Sequence, residues 1–220
     1  INIHEFVNED SKAVFIANPN AQTGILLPLQ DIEQLLQNYK GLVVIDEAYI
    51  DFAEAGSSAI SLVHKYPNLI VTRTFSKSYS LCGARVGFCF ADSKLIYALH
   101  KCKESYNVSY ISQVIAKLAL EDQSYLKSTI NKVLEARNLL SDQLKLLQFE
   151  VIPSQTNFLL CKPMNMDAKE IYDYLVDRKI YVRYFNAPRL NDKLRISVGT
   201  VEQCGILLSH LRNFAEKNIK

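Results

Sequence analysis

Residues 69–88 read LIVTRTFSKSYSLCGARVGF, and the step from apolar to hydroxyl-rich within them sets the fold class. Leu69 to Val71 is a short apolar run of the kind that forms a buried strand, while TRTFSKSYS is too polar to continue one. Beyond a glycine-bearing turn a further apolar run, Arg85 to Phe90, ends at Ala91 and Asp92. Upstream the pattern repeats: Leu42 to Ile45 (LVVI) is closed by Asp46 and Glu47, and Ala13 to Ala17 (AVFIA) by NPNAQTG. Between these two runs, Leu29 to Tyr39 carries helical spacing. Uninterrupted apolar strands with an intervening helix predict an α/β domain with a doubly covered, mainly parallel sheet. In such sheets the loops beyond the strand carboxyl ends form the ligand site, which selects Asn18 to Thr23, Asp46 to Tyr49 and Thr74 to Tyr79.

Downstream, Ser109 to Leu147 reads as two helices broken near Glu121 to Gln123, the second amphipathic through Ile130, Val133, Leu134, Leu140, Leu144 and Leu147. The remainder forms a small α+β unit. Its strands are expected at Phe149 to Ile152, Phe158 to Cys161, Ile180 to Tyr184 and Lys193 to Val198, and its helices at Ala168 to Asp177 and Val201 to Asn218. The domain division is therefore placed at 1–147 and 148–220, inside or just after the connecting helix.

Composition narrows the function classes. The 220 residues can bury a sizeable core, which excludes a disulfide-stapled miniprotein. With 25 basic against 23 acidic residues, the net charge of +2 supplies no broad attraction for nucleic acid or an anionic membrane, so any anion needs a local site. At 49% hydrophobic residues, and with no apolar run near the ~20 residues of a membrane span, a soluble globular chain is expected. The five cysteines, Cys82, Cys89, Cys102, Cys161 and Cys204, are odd in number and widely spaced; they read as reduced packing residues of a cytoplasmic protein. No basic-then-apolar leader precedes the first strand, although the chain opens on Ile1 and a preceding segment stays open.

Two loops of the large unit and the strands of the small one carry the chemistry. Lys77 follows a strand and sits among hydroxyls, so its amine can attack an aldehyde to form a Schiff base, or it is an exposed loop lysine. Thr74, Ser76 and Arg85 can jointly hold a phosphate, the arginine as a bidentate fork. Asp46 emerges from a buried strand, where its carboxylate can keep a pyridine nitrogen protonated; it can equally cap a helix or ligate a metal. Tyr49 can donate to the phenolic oxygen of the same ring or line the core. In the small unit Arg183 (YVRYF) and Arg195 (KLRISVGT) imply an anionic substrate, with edge-strand solubility as the competing role. Asn157, in SQTNFLL, can orient that arginine or close a turn. Neither GxxxxGK[ST] nor GxGxxG occurs, and His4, His64, His100 and His210 lack metal-ligand spacing, so no metal is expected.

Taken together, ANPNAQTG (17–24), VVIDEAYIDF (43–52), TRTFSKSYSLCGARVGF (72–88), PSQTNFLL (153–160) and LRISVGT (194–200) resemble the fold-type I pyridoxal-phosphate aminotransferases, and within them the histidinol-phosphate aminotransferase family. The resemblance implies a large-domain portion with a mainly parallel sheet followed by a small α+β domain. It implies pyridoxal 5'-phosphate as cofactor, with Lys77 as its covalent lysine, Asp46 at the ring nitrogen, Tyr49 at the ring oxygen, and Ser76, Arg85 and Thr74 at the phosphate. Arg195 resembles the carboxylate arginine used for glutamate, and Arg183 its phosphate-recognising partner, with Arg189 able to substitute. The implied reaction is transamination of histidinol phosphate with 2-oxoglutarate in histidine biosynthesis, by a cytoplasmic homodimer, with neither nucleic acid nor membrane as partner.

Two departures stand against that pattern. The family's asparagine before proline-threonine-glycine is Ala21 here and its proline is Gln22, which leaves Asn20 to reach the ring oxygen through a shifted loop. The family's amino-terminal arm, first strands and phosphate-loop glycines are not among these 220 residues, so the resemblance covers only the latter part of such an enzyme. A threonine-phosphate decarboxylase-like enzyme and a truncated non-catalytic fragment remain the alternatives.

Overall fold

A computed structural model describes residues 11–218. They form two units: one comprises residues up to 21 together with 26–127, the other 22–25 and everything from 128 onward.

The first unit is built on a four-stranded sheet of β1 (Ala13–Ala17), β2 (Leu42–Asp46), β3 (Leu69–Thr74) and β4 (Gly87–Ala91), in that spatial order. β1, β2 and β3 are mutually parallel, and β4 runs antiparallel to β3. Consecutive residues Val43, Val44 and Ile45 on β2, and Leu69, Ile70 and Val71 on β3, are all buried, so the two inner strands are covered on both faces as their unbroken apolar runs require. The outer strand β1 departs from that reading: alternate residues face solvent, with Phe15 76% exposed. Helix α1 (Leu29–Asn38) follows Pro28, whose missing N–H suits a helix start. It turns Ile32, Leu35 and Leu36 inward to share a core with Val43, Ile45, Leu69 and Val71.

Helix α2 (Ser93–Cys102) was not expected from the sequence, yet its start signal is present: the Asp92 carboxylate accepts from the Lys94 N–H at 2.8 Å. Helices α3 (Tyr110–Glu121) and α4 (Gln123–Leu146) break at the expected place, where Asp122 accepts from the Tyr125 N–H at 3.0 Å. The unit division falls at residues 127 and 128, inside α4 and upstream of residue 147. The physical reason is that Leu140 and Leu144 are fully buried in the second unit's core.

The second unit carries an antiparallel sheet of β5 (Phe149–Val151), β6 (Phe158–Pro163), β7 (Arg183–Tyr184) and β8 (Leu194–Ser197), in the order β5-β6-β8-β7. β7 is shorter than the expected Ile180–Tyr184, because only its last two residues meet β8. Helix α5 (Ala168–Asp177) begins where the Asp167 carboxylate accepts from Lys169 and Glu170 N–H groups, and it buries Ala168, Ile171 and Leu175 on one stripe. With α6 (Val201–Asn218) it encloses Leu159, Leu194, Ile196, Leu208 and Leu211. Each such side chain removed from water contributes roughly 1.5–3 kcal/mol.

All five cysteines are free thiols. Cys161 and Cys204 are packing residues as expected, and burial pushes the Cys161 thiol up to about 12. Cys82 and Cys102 are exposed, which corrects their reading as core residues; each sits in or beside a polar turn or helix end. Among the described residues no helix is long and apolar enough to cross a membrane, and no group of three or more His, Cys, Asp or Glu could hold a metal ion. His4 lies outside the described residues.

Candidate active site

In the first unit the chemistry gathers where β1, β2 and β3 end. β2 delivers Asp46 with its side chain exposed, and one carboxylate oxygen accepts from the Ala48 N–H at 3.1 Å, fixing the turn that leads to Tyr49. Beyond β3 the loop folds back on itself: Ser80 N–H donates to Lys77 O at 3.0 Å, Leu81 N–H to Phe75 O at 2.9 Å, and Phe75 N–H to Val86 O at 3.1 Å. That closed loop holds Lys77, whose Nζ lies 5.1 Å from the centroid of the Tyr49 ring. A lysine ammonium over an aromatic face is attracted by the ring quadrupole.

The hydroxyl residues form a donor cluster on the same loop. The Thr74 hydroxyl donates to Ser76 Oγ at 3.0 Å and accepts from the Ser76 N–H at 3.1 Å. Arg85 Nη1 reaches Ser76 Oγ at 3.5 Å and Cys82 O at 3.1 Å. Arg85 has φ 56°, a left-handed conformation that turns the chain sharply between the Cys82–Ala84 3-10 turn and β4. Two hydroxyls and a guanidinium converging in this way match the donor set for one phosphate group. Asn20 lies half-buried after β1. The segment before it is anchored by Asn18, which is fully buried and exchanges hydrogen bonds with Leu27: Leu27 N–H to Asn18 Oδ1 at 2.7 Å, and Asn18 Nδ2 to Leu27 O at 3.3 Å.

A buried ionic network beneath this loop was missed in the sequence. Glu47 is 1% exposed and accepts from Ser58 Oγ at 2.8 Å, Ala59 N–H at 2.6 Å and Arg73 Nε at 2.9 Å. Burial pushes its carboxyl above the usual range, and the Ser58, Ala59 and Arg73 donors offset part of that rise. Arg73 spreads its remaining nitrogens to Asp51 Oδ1 at 3.1 Å and Ser58 Oγ at 2.9 Å. The other Asp51 oxygen accepts from Ser78 Oγ at 2.5 Å. Only the alternation of Asp46 and Glu47 at the end of β2 hinted at it, since neighbours on a strand face opposite ways.

In the second unit β7 and β8 place Arg183 directly opposite Arg195. Like charges in register repel. The Arg195 guanidinium lies 4.9 Å from the Phe158 ring centroid and 5.5 Å from that of Phe185, and Arg183 lies 5.1 Å from Phe185. The aromatic faces, neither of which the sequence singled out, hold the two cations side by side, an arrangement suited to a shared anion. Asn157 contributes its backbone carbonyl to the Val198 N–H at 2.9 Å, joining the loop that follows β8. Arg189 sits in an exposed turn at φ 68°, where its carbonyl accepts from Lys193 Nζ at 3.0 Å.

The sequence matches the family of class I and II aminotransferases over residues 2–211. It is 45% identical over 211 residues to histidinol-phosphate aminotransferase 1 of Trichormus variabilis, covering 96% of this chain and 60% of the relative. Against the histidinol-phosphate aminotransferase of Syntrophotalea carbinolica it is 44% identical over 192 residues, covering 87% and 55%. The crystal structure of histidinol-phosphate aminotransferase from Sinorhizobium meliloti, in complex with pyridoxal-5'-phosphate, superposes with a TM-score of 0.87 at 30% identity, over 95% of this chain and 58% of that one. The chain thus spans about 55–60% of the length of these relatives.

Proposed function

The chain belongs to the class I and II aminotransferases, and from that membership we propose that its protein transfers an amino group from histidinol phosphate to 2-oxoglutarate, using pyridoxal 5'-phosphate, in histidine biosynthesis. One observation carries the reading: Lys77 lies against Tyr49 on the same loop as the Thr74, Ser76 and Arg85 donors. That combination offers an amine, an aromatic hydroxyl and a phosphate cradle to one small molecule. The names of the curated relatives at 44–45% identity support histidinol phosphate over threonine phosphate as substrate.

When bound, the cofactor supplies an aldehyde for the substrate amine and a ring that accepts the electron pair left on carbon. Thr74, Ser76 and Arg85 would hold its phosphate, and Asp46 would keep the ring nitrogen protonated. Tyr49 would donate its hydroxyl to the ring oxygen. Asn20 would add a polar contact there, since Ala21 has no side-chain donor to offer. Lys77 would hold the cofactor between turnovers and, once released, take a proton from the substrate carbon and return it elsewhere as general base and acid. Arg183 and Arg195, with Asn157 just before β6, the strand that pairs with β8, would bind the phosphate of one substrate and the carboxylate of the other, which explains the tolerance of two cations in register. A homodimer in the cytoplasm completes the proposal; the exposed thiols of Cys82 and Cys102 suit a reducing compartment.

The test uses the complete gene product. With pyridoxal phosphate, wild type should form glutamate only when both histidinol phosphate and 2-oxoglutarate are supplied, and Lys77→Ala should abolish both turnover and covalent cofactor capture by borohydride. Undiminished turnover in Lys77→Ala, or carbon dioxide release from threonine phosphate without 2-oxoglutarate, would overturn the assignment.

A further inference from the structure

We propose that Asp51 is a positioning residue for Lys77, acting through Ser78, and that the buried Glu47–Arg73 pair exists to hold Asp51 in place. The proposal rests on the reading of Lys77 as the reactive amine.

Three chemistry-bearing positions each have a near neighbour in one network. Glu47 follows Asp46, Asp51 lies two residues beyond Tyr49, and Ser78 follows Lys77. Asp51 uses one oxygen for Ser78 Oγ, at 2.5 Å, and the other for Arg73 Nη1, at 3.1 Å. Arg73 is itself oriented by Glu47 Oε2 at 2.9 Å and Ser58 Oγ at 2.9 Å, so its planar fork has no freedom to turn away from Asp51. Glu47 is locked in turn by the Ala59 N–H at 2.6 Å.

The consequence for Lys77 follows from chain geometry. Ser78 is 4% exposed with its hydroxyl directed inward to Asp51, and the planar peptide that joins it to Lys77 is held on its other side, where the Lys77 carbonyl accepts from the Ser80 N–H at 3.0 Å. Anchoring Ser78 therefore fixes the direction in which the Lys77 stem leaves the loop, which is over the Tyr49 ring. Tyr49 precedes the short 3-10 turn Ile50–Phe52 that carries Asp51, so one carboxylate ties the lysine loop to the tyrosine turn. Reactive groups need to be held this closely, and supporting hydrogen bonds on rigid elements are what hold them.

A network that merely stabilised the fold would show in stability alone, so the test separates the two. In the complete gene product loaded with pyridoxal phosphate, Ser78→Ala and Asp51→Asn should lower kcat about tenfold while KM stays within about twofold. The pH midpoint of the bound cofactor's visible absorbance should shift as well. Ser78→Thr, which keeps the hydroxyl, should recover most of both. Ile32→Val trims a fully buried side chain of the α1 core that makes no contact with this network; it should reduce thermal stability yet leave the spectroscopic midpoint in place.

A second readout needs no cofactor: the rate at which Lys77 is acylated in the ligand-free protein, mapped by mass spectrometry, should change at least about threefold in Ser78→Ala. An unchanged acylation rate overturns the positioning role whatever the protein catalyses. Absence of cofactor capture at Lys77 in wild type, with a changed acylation rate in Ser78→Ala, would instead sink the functional reading and leave Asp51 as the residue that places this amine. An equal spectroscopic shift in Ile32→Val would also refute the proposal.

Discussion

Replacing Arg73 by methionine isolates the physics of the buried pair. The Glu47 side chain is 0% exposed and Arg73 is its charged partner at 2.9 Å. Without the guanidinium the carboxylate has two choices: remain ionised and uncompensated, or take up a proton. Keeping a carboxyl of ordinary pKa near 4.3 neutral at pH 7 costs about 3.7 kcal/mol, which caps the charge penalty. Loss of the Arg73 bonds to Asp51 and Ser58 adds on the order of 1 kcal/mol. Arg73→Met should therefore destabilise by at most about 4–5 kcal/mol at pH 7, within the range that breaking a buried pair costs. The sign of the pH dependence follows from linkage. Burial already raises the Glu47 carboxyl in the folded protein, and removing Arg73 raises it further. Both folded forms hold the proton more tightly than the unfolded chain, the variant more so, so its deficit relative to wild type grows by up to about 1.4 kcal/mol per unit once pH rises above the already raised wild-type carboxyl, and shrinks as pH falls back toward it. Urea unfolding of wild type and variant at pH 5, 6 and 7 reads this directly. Adding Glu47→Gln to the variant should flatten the slope. A deficit that is the same at pH 5 and pH 7 would refute the reasoning.

Two further outcomes follow from local geometry. Gly24 has φ 79°, and a Cβ built there would lie 2.4 Å from Ser154 Oγ and 3.3 Å from Ser154 Cα. Gly24→Ala should cost about 1–3 kcal/mol in urea unfolding, and a second change, Ser154→Gly, should return the steric part but not the roughly 1 kcal/mol of left-handed strain. Asp192 is held down to about 2 by hydrogen bonds from Lys193 and Lys162. Its contribution is present above the ordinary carboxylate range and lost as pH falls through about 2; because its side chain is 40% exposed, Asp192→Asn should cost less than about 1 kcal/mol at pH 7, and a carboxyl titration by NMR centred near 4 would contradict the depression.

What the sequence made legible, and what it hid, divides along one physical line. Runs such as LVVI and LIV announce strands because burial on both faces demands unbroken apolar residues, and the polar loop after each announces where a ligand can sit. Ile180–Tyr184 has the same composition, yet only Arg183 and Tyr184 join β8, since pairing depends on a partner that composition does not name. Helix α2 escaped notice although Leu95, Ile96 and Leu99 carry helical spacing, because its ten residues follow directly on the apolar run of β4. The network at Glu47, Asp51, Ser58, Arg73 and Ser78 was hidden for a different reason. Its hydrogen bonds span up to 27 positions, and bonds at that separation exist only after the sheet has brought β2 beside β3.

One part of it could nonetheless have been read. The β2 ladder runs one residue past Asp46, with the Glu47 N–H on Thr72 O at 2.9 Å, so the adjacent carboxylates of Asp46 and Glu47 point to opposite sides. If Asp46 is assigned to the solvent-facing mouth, Glu47 must enter the interior, and a buried carboxylate requires a cation that the chain has to provide. The arginine of TRT, on the strand that pairs with β2, is the nearest residue able to do so. Periodicity thus converts two acidic letters into one outward ligand and one inward anchor, with the anchor's partner nameable before any coordinate is known.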